Sequence, residues 1–337
     1  MKILILRFSS IGDIILTTPV IRVLKTQIED AQIHFATKKK YAHLLKENPY
    51  VDQIHELKTK ENELITKLKG EKFDLIIDLH HNLRTWLIQK KLGVKAFKYD
   101  KLNIKKWLYT NFKIDQLPNL HIVDRYLATL APLKIKPDTL GLDFFIPEKD
   151  EVQNNWLPLT HQNGYIAVVI GATYNTKKLT TNRLIELCDR INQPIILLGD
   201  EHDKFIGDQI YSFFENKSTQ SINEEEIKLQ LEKKAIIFNA CGKFNLNQSA
   251  SLIKNANFVF THDTGLMHVA AAFKKHIFSI WGSTTPKFGM YPYRTTFVVF
   301  ENTNLKCRPC SKIGFKKCPK NHFRCMNDLT FDFNLTN

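Results

Sequence analysis

The sequence predicts an α/β protein built as two parallel-sheet halves that face each other across a cleft. Three observations carry this. Short runs rich in Ile, Leu, Val and Phe recur along the chain, among them KILILRF (2–8) and YIAVVIGAT (165–173), with helix-like amphipathic stretches between them. Buried parallel strands alternating with covering helices read in this way. The pattern pauses at a polar, proline-bracketed stretch, PEKDEVQNNWLP (147–158), and then begins again. Finally, 337 residues with 43% hydrophobic content suffice for two packed cores.

In the first half the predicted strands are Lys2–Phe8, Ile33–Thr37, Gln53–Leu57, Phe73–Leu79 and Ala96–Tyr99, with a helix over 14–27 and Phe144–Pro147 closing the half. Residues 147–158 read as a linker, alone or with a short helix. The second half has predicted strands at 165–173, 194–200, 235–242, 258–263 and 276–282, and helices at Thr181–Ile191, Leu246–Lys254 and Thr264–Phe273. The charged segment Phe214–Lys234 reads as partly a surface excursion. Two domains of Rossmann type follow, residues 1–150 and 159–337.

A formal charge of +14 points to anionic company: nucleic acid, phosphorylated ligands or an acidic membrane face. From Arg84 to Lys113 there are nine Lys/Arg against one acid, Asp100, with Trp86, Phe97, Tyr99, Trp107, Tyr109 and Phe112 interleaved. This stretch reads either as a membrane-facing patch or as a solvated helical face. The chain opens directly on a short strand, and no apolar run approaches the roughly 18 residues of a membrane span. The expectation is a cytoplasmic protein, soluble or peripheral at the inner face of the inner membrane.

Open parallel sheets bind ligands beyond the carboxyl ends of their strands. In the second half those ends carry Ala172 and Thr173, Gly199 to Glu201, Gly242, Asp263 to Gly265, and Gly282 to Thr284. In THDTGLMHVAAAF the turn Asp263–Thr264–Gly265 leads into a helix, whose unpaired N–H groups and partial positive charge suit a diphosphate. His268 lies on the same helix face as Thr264. The bland alternative is that Asp263 or Thr264 caps the helix and His268 is packed. GATYNTKKL (171–179) is a near miss to a P-loop, with Thr176 where a glycine belongs; Lys177 and Lys178 are either phosphate partners or a solvated pair. No GxGxxG fingerprint is present. In the first half, RFSSIGDIILTTP places Asp13 where a strand becomes a helix. It reads as a helix cap, or as a carboxylate able to take a proton from an incoming hydroxyl.

RFSSIGDIILTTPVIRVLK, THDTGLMHVAAA and the following WGSTTP, with DLHHNLRT (78–85), HIVDRYL (121–127) and GATYNTKKL, resemble the heptosyltransferases of glycosyltransferase family 9. The resemblance implies a GT-B fold, two Rossmann-like domains with the active site between them. It also implies inverting transfer from a nucleotide-activated sugar, typically ADP-heptose, to a lipid-linked or phosphorylated saccharide of the lipopolysaccharide core, with no essential metal or cofactor and no nucleic-acid partner. Carried onto this sequence, it makes Asp13 the catalytic base and Lys177 the diphosphate lysine, with Lys178 as the alternative because Leu179 and Thr180 replace the family's Trp and Pro. Thr173, Glu201, Asp263, Thr264, Gly265 and His268 would bind the donor, and Ser9, Ser10, Gly12, Asn82 and Arg84 the acceptor. A nucleic-acid-binding protein and a non-catalytic sugar-phosphate module are the competing classes. In the tail, Cys307, Cys310, Cys318 and Cys325, with His322 nearby, read as a structural metal site or as packed or redox-active thiols.

Overall fold

The computed structural model describes residues 1–219 and 235–335. The first sheet runs in the order β3-β2-β1-β4-β5, from β1 (Lys2–Leu6), β2 (Gln32–Lys38), β3 (Gln53–Leu57), β4 (Leu75–Asp78) and β5 (Ala96–Lys98), all parallel. Strand periodicity divides β1 between two cores: Ile3 and Ile5 face one, Leu4 and Leu6 the other. The helices α1 (Ile11–Ile15) and α2 (Thr18–Gln27) replace the single predicted helix. Pro19, in the first turn of α2, lacks the N–H that would continue the ladder from α1. The α3 (Glu61–Gly70) and α4 (Leu83–Leu92) helices cover the other face through Leu64, Ile65, Leu68 and Ile88. By contrast, α5 (Asn103–Phe112) buries no residue fully, and α6 (Ile122–Leu127) returns to the core.

The second sheet runs β11-β10-β9-β6-β7-β8 and is also parallel. Its strands are β6 (Ile166–Val169), β7 (Pro194–Leu198), β8 (Ile236–Asn239), β9 (Val259–His262), β10 (Ile277–Trp281) and β11 (Phe297–Glu301). The predicted strands were each observed: β3 with the same bounds, β2 one residue longer at each end, and the others trimmed by one to a few residues; β11 is an addition. Helices α7 (Thr181–Ile191), α8 (Lys204–Thr219), α9 (Leu246–Asn255), α10 (Gly265–Ala272) and α11 (Arg324–Asn327) complete this half. Of the predicted surface excursion, residues 220–234 lie outside the described residues. Among the described residues no helix is long and apolar enough to cross a membrane.

The chain order reverses between β1 and β4 in one sheet and between β6 and β9 in the other. These switch points are where such sheets open a crevice. They face each other because the halves share an apolar core, in which Ile14 and Val20 join Val169, Met267 and Trp281. Polar contacts fix the approach: Ile122 N donates to Gly289 O at 2.8 Å, Arg125 Nη2 to Phe288 O at 3.1 Å, and the His121 ring stacks on Tyr293 at 4.6 Å. The linker is not loose. It forms two single 3-10 turns, and Asp150 holds Asn245 and Asn247 at 3.0 and 2.8 Å while Glu151 pairs with Lys254 at 2.7 Å.

Burial holds several histidines neutral, His55 and His268 with pKa values lowered to about 4 and His121 and His262 to about 3. Their unfolded forms titrate near 6.5, so below that pH the unfolded chain binds more protons. Stability should therefore fall as pH drops from 6.5 toward 4, by up to about 1.4 kcal/mol per pH unit for each such histidine. Calorimetric Tm measured from pH 7 to pH 5 checks this; a flat Tm would contradict it.

Candidate active site

Asp13 occupies the first turn of α1. Its Oδ2 accepts from Ser10 N at 3.0 Å and Ser10 Oγ at 2.8 Å, so it does make the capping contact. Its Oδ1 pairs with Arg7 Nη2 at 2.5 Å. Arg7, at the end of β1, is itself buried and donates to Leu79 O, Ser9 O and the Tyr126 hydroxyl. Burial opposes ionisation of Asp13, but the Arg7 charge and the Ser10 hydrogen bonds outweigh it and hold the carboxyl below its ordinary value. One-fifth of the side chain still reaches solvent. The result is a fixed, ionised carboxylate at the mouth of the cleft.

The same loop meets the other half. A Cβ on Gly12 would lie 2.6 Å from His268 Cδ2, and one on Gly265 would lie 2.8 Å from Ile11 Cγ2. Only glycines let the start of α1 approach the start of α10 this closely. His268 is accordingly buried against Gly12, a neutral ring whose Nδ1 has no partner among the described residues.

Beyond this contact opens a cavity of about 380 Å3 between the carboxyl ends of β6 and β9. Lys177, Thr173, Asp263, Thr264 and Gly265 line it, together with Gly171 and Ala172. Lys177 Nζ lies 2.6 Å from Asp263 Oδ2 and 3.1 Å from Asp263 O, and Thr284 Oγ1 donates to the same carboxylate at 2.9 Å. Thr264 sits at the cap position of α10 but makes no side-chain cap, and its hydroxyl is buried with no partner among the described residues. A buried, unsatisfied hydroxyl is costly unless something fills its place. Beside the N–H groups of the helix start, it gives this wall donors of the kind an anion can take.

The remaining residues are placed less centrally. Lys178 does not line the cavity; it pairs with Asp203 at 2.7 Å. The Glu201 side chain is 71% exposed and lies against Gly242. Ser9 and Ser10 shape the loop around Asp13. Asn82 caps α4, accepting from Thr85 N at 3.1 Å, and Arg84 pairs with Glu61 and sits 5.7 Å over the Phe8 ring. Arg84 also edges a separate recess of about 590 Å3 lined by Lys38, Lys39, Lys40, His43 and Lys58. Sequence reasoning missed Arg7, whose partners come from distant parts of the chain, and missed Phe244, Leu246 and Ser249 on the cavity wall. It also missed His80, a half-buried neutral imidazole with a pKa lowered to about 3 by burial and by Arg7. In the tail all four cysteines are free: Cys325 is buried in the second core, Cys310 Sγ donates to Cys307 O at 3.0 Å, and Cys307 Sγ lies 3.8 Å from His322 Nε2.

A family model described as glycosyltransferase family 9 (heptosyltransferase) matches residues 62–320. The chain belongs to glycosyltransferase family 9. As a member of that family it is a glycosyltransferase. It is 25% identical over 335 residues to the lipooligosaccharide heptosyltransferase 2 of Campylobacter jejuni, covering 98% of this chain and 94% of that one. Among solved structures it is similar to the ADP-heptose lipopolysaccharide heptosyltransferase II of Escherichia coli, with a TM-score of 0.67, 19% identity, and 97% and 98% of the two chains covered. It is also similar to the E. coli heptosyltransferase WaaC with ADP, with a TM-score of 0.62, 18% identity, and 89% and 91% covered. At these identities the likeness shows the fold, which is GT-B. The family match begins after the Asp13 loop, so any role for that carboxylate in this family 9 enzyme rests on geometry.

Replacing Arg7 by Met removes the charge that counters burial. The Asp13 carboxyl should then titrate higher than in the parent, where it lies below 3.8. An NMR titration of the carboxyl carbon reads this; an unchanged midpoint would contradict the pairing.

Proposed function

We propose that the protein transfers a heptose, or a closely related sugar, from an ADP-linked donor to a lipopolysaccharide inner-core acceptor, inverting the anomeric centre. The observation that carries this is the Gly12–Gly265 contact, which sets the Asp13 carboxylate beside the start of α10. An acceptor hydroxyl at one and a donor diphosphate at the other would share a single space. The relatives are lipopolysaccharide and lipooligosaccharide heptosyltransferases, and one similar solved structure is that of an ADP-heptose heptosyltransferase. Both likenesses support the substrate class.

In this reading Asp13 Oδ accepts the proton as the acceptor oxygen attacks the anomeric carbon and the bond to the diphosphate breaks. Negative charge grows on the departing phosphate. The N–H groups at the start of α10, the Thr264 hydroxyl and Lys177 lie where they stabilise it. Lys177 trades its contact with Asp263 for the phosphate; Lys178 holds Asp203 in the wall. Thr173 lines the same cavity, Phe244 and Leu246 give the base an apolar wall, and Glu201 follows Asp200 of that lining. His268 supports Gly12. The lysine-rich recess at Arg84 suits the phosphorylated part of the acceptor. Nucleic acid is not a partner in this reading.

We further assign α5 to an anionic membrane face. Ile104 and Trp107 are 75% and 49% exposed, and Lys105 stands beside them. Apolar side chains flanked by cations suit a headgroup boundary. Lys106 does not belong to that face. It lies 5.8 Å over the Phe288 ring of the other half, and burial lowers its pKa to about 7.

Asp13→Asn should lower kcat by about 10²- to 10⁴-fold while ADP binding measured by calorimetry stays the same. An equal loss of ADP binding would assign Asp13 a structural role. For the membrane face, Lys105→Glu with Trp107→Ser should release the protein from anionic vesicles in a sedimentation assay. Unchanged sedimentation would remove α5 from the contact.

A further inference from the structure

Toward the amino ends of the first sheet, away from the Asp13 loop at the carboxyl ends, lies a polar cluster that the transfer reaction does not use. The register pairs His34 with Gln53 and Ala36 with His55, so the two histidines project from the same face of neighbouring strands. Both are buried, with the Phe73 ring edge-on to each. Glu71, just past α3, reaches over them. His34 Nδ1 lies 2.9 Å from His55 Nε2 and 4.0 Å from Glu71 Oε2, and the three ligand atoms lie within 4.8 Å of one another.

We propose that His34 Nδ1, His55 Nε2 and a Glu71 carboxylate oxygen bind one divalent transition-metal ion of the zinc type. Metal–nitrogen and metal–oxygen bonds of about 2.0–2.2 Å put the ligand atoms of a tetrahedral set roughly 3.3–3.5 Å apart. The observed 2.9 and 4.0 Å bracket that value. Closing the set needs the two buried rings to part by about 0.5 Å and the carboxylate of Glu71, the partly exposed member, to move inward. Two imidazoles and one carboxylate suit zinc, cobalt or nickel rather than magnesium or calcium. Burial keeps both rings neutral, as metal binding requires. The proton now shared between the rings moves to another ring nitrogen, and water takes the fourth position. Lys2 Nζ, 3.0 Å from Glu71 Oε2, and Gln53 Nε2, 3.3 Å from Oε1, compete for the carboxylate. Bound metal would tie β2, β3 and the end of α3 together, a structural staple remote from the reacting groups.

The test is a Co²⁺ titration of the tag-free full chain, read by visible absorption, in a Cys307→Ser/Cys310→Ser background that removes thiolate ligands of the tail. One equivalent should bind without a sulfur charge-transfer band, and Zn²⁺ should raise the Tm of the same protein. His55→Gln and, separately, Glu71→Gln should each weaken binding at least tenfold, whereas Lys2→Met should tighten it. Glu71→Gln and Lys2→Met change partly exposed side chains and keep the test valid if His55→Gln does not fold. Absence of binding at micromolar Co²⁺ in the double-serine background overturns the proposal. So does equal binding by the parent, the Glu71→Gln variant and the Lys2→Met variant.

Discussion

The two halves meet where neither has a side chain to spare. Gly12 and Gly265 let the start of α1 lie against the start of α10, with the His268 ring filling the remaining space. Everything at the site is placed from this contact. Asp13 follows Gly12 by one residue, and Thr264 precedes Gly265 by one. A methyl group on either glycine would meet atoms at 2.6–2.8 Å, so the carboxylate and the anion-binding turn would have to separate. The shared apolar core and the Ile122–Gly289 and Arg125–Phe288 hydrogen bonds hold the approach from the side.

Charge at the site is arranged against the background of a strongly basic chain. Each cation nearest the reacting space is held by a resident acid: Arg7 by Asp13, Lys177 by Asp263, Lys178 by Asp203. This pairing limits repulsion among the cations and fixes their side chains before a ligand arrives. On the proposed reading an incoming diphosphate displaces only the Lys177–Asp263 contact, because the Thr264 hydroxyl has no partner among the described residues. Arg7 stays with Asp13, which keeps that carboxylate ionised despite its burial. For the proposed base role the cost is lower basicity, tolerable if the accepted proton leaves a hydroxyl already engaged in bond formation.

What was legible in the sequence was what local pattern carries. Apolar runs gave ten strands, and small residues at their carboxyl ends marked both walls of the cleft. The edge strand β11 was missed although its apolar run FVVF belongs to a strand as long as β1 and β10. Pro19 divided a helix that its apolar periodicity would have continued. Arg7 was illegible for a different reason. Its partners Asp13, Leu79 and Tyr126 are assembled by tertiary structure, so a cation at the end of an apolar strand was the sole clue. That Lys177 rather than Lys178 lines the cavity needed side-chain direction, and so did the inward turn of Lys106. His34, His55 and Glu71 come together only through strand register, which no spacing in the sequence encodes.

The most direct test is a crystal structure of the protein with ADP and an unreactive fluorinated ADP-sugar. The diphosphate should lie on the N–H groups at Thr264–Gly265, with Lys177 released from Asp263 onto a phosphate oxygen. The anomeric carbon should face the Asp13 carboxylate across room for one hydroxyl. A diphosphate bound elsewhere, or an anomeric carbon on the far side of α10 from Asp13, would contradict this placement.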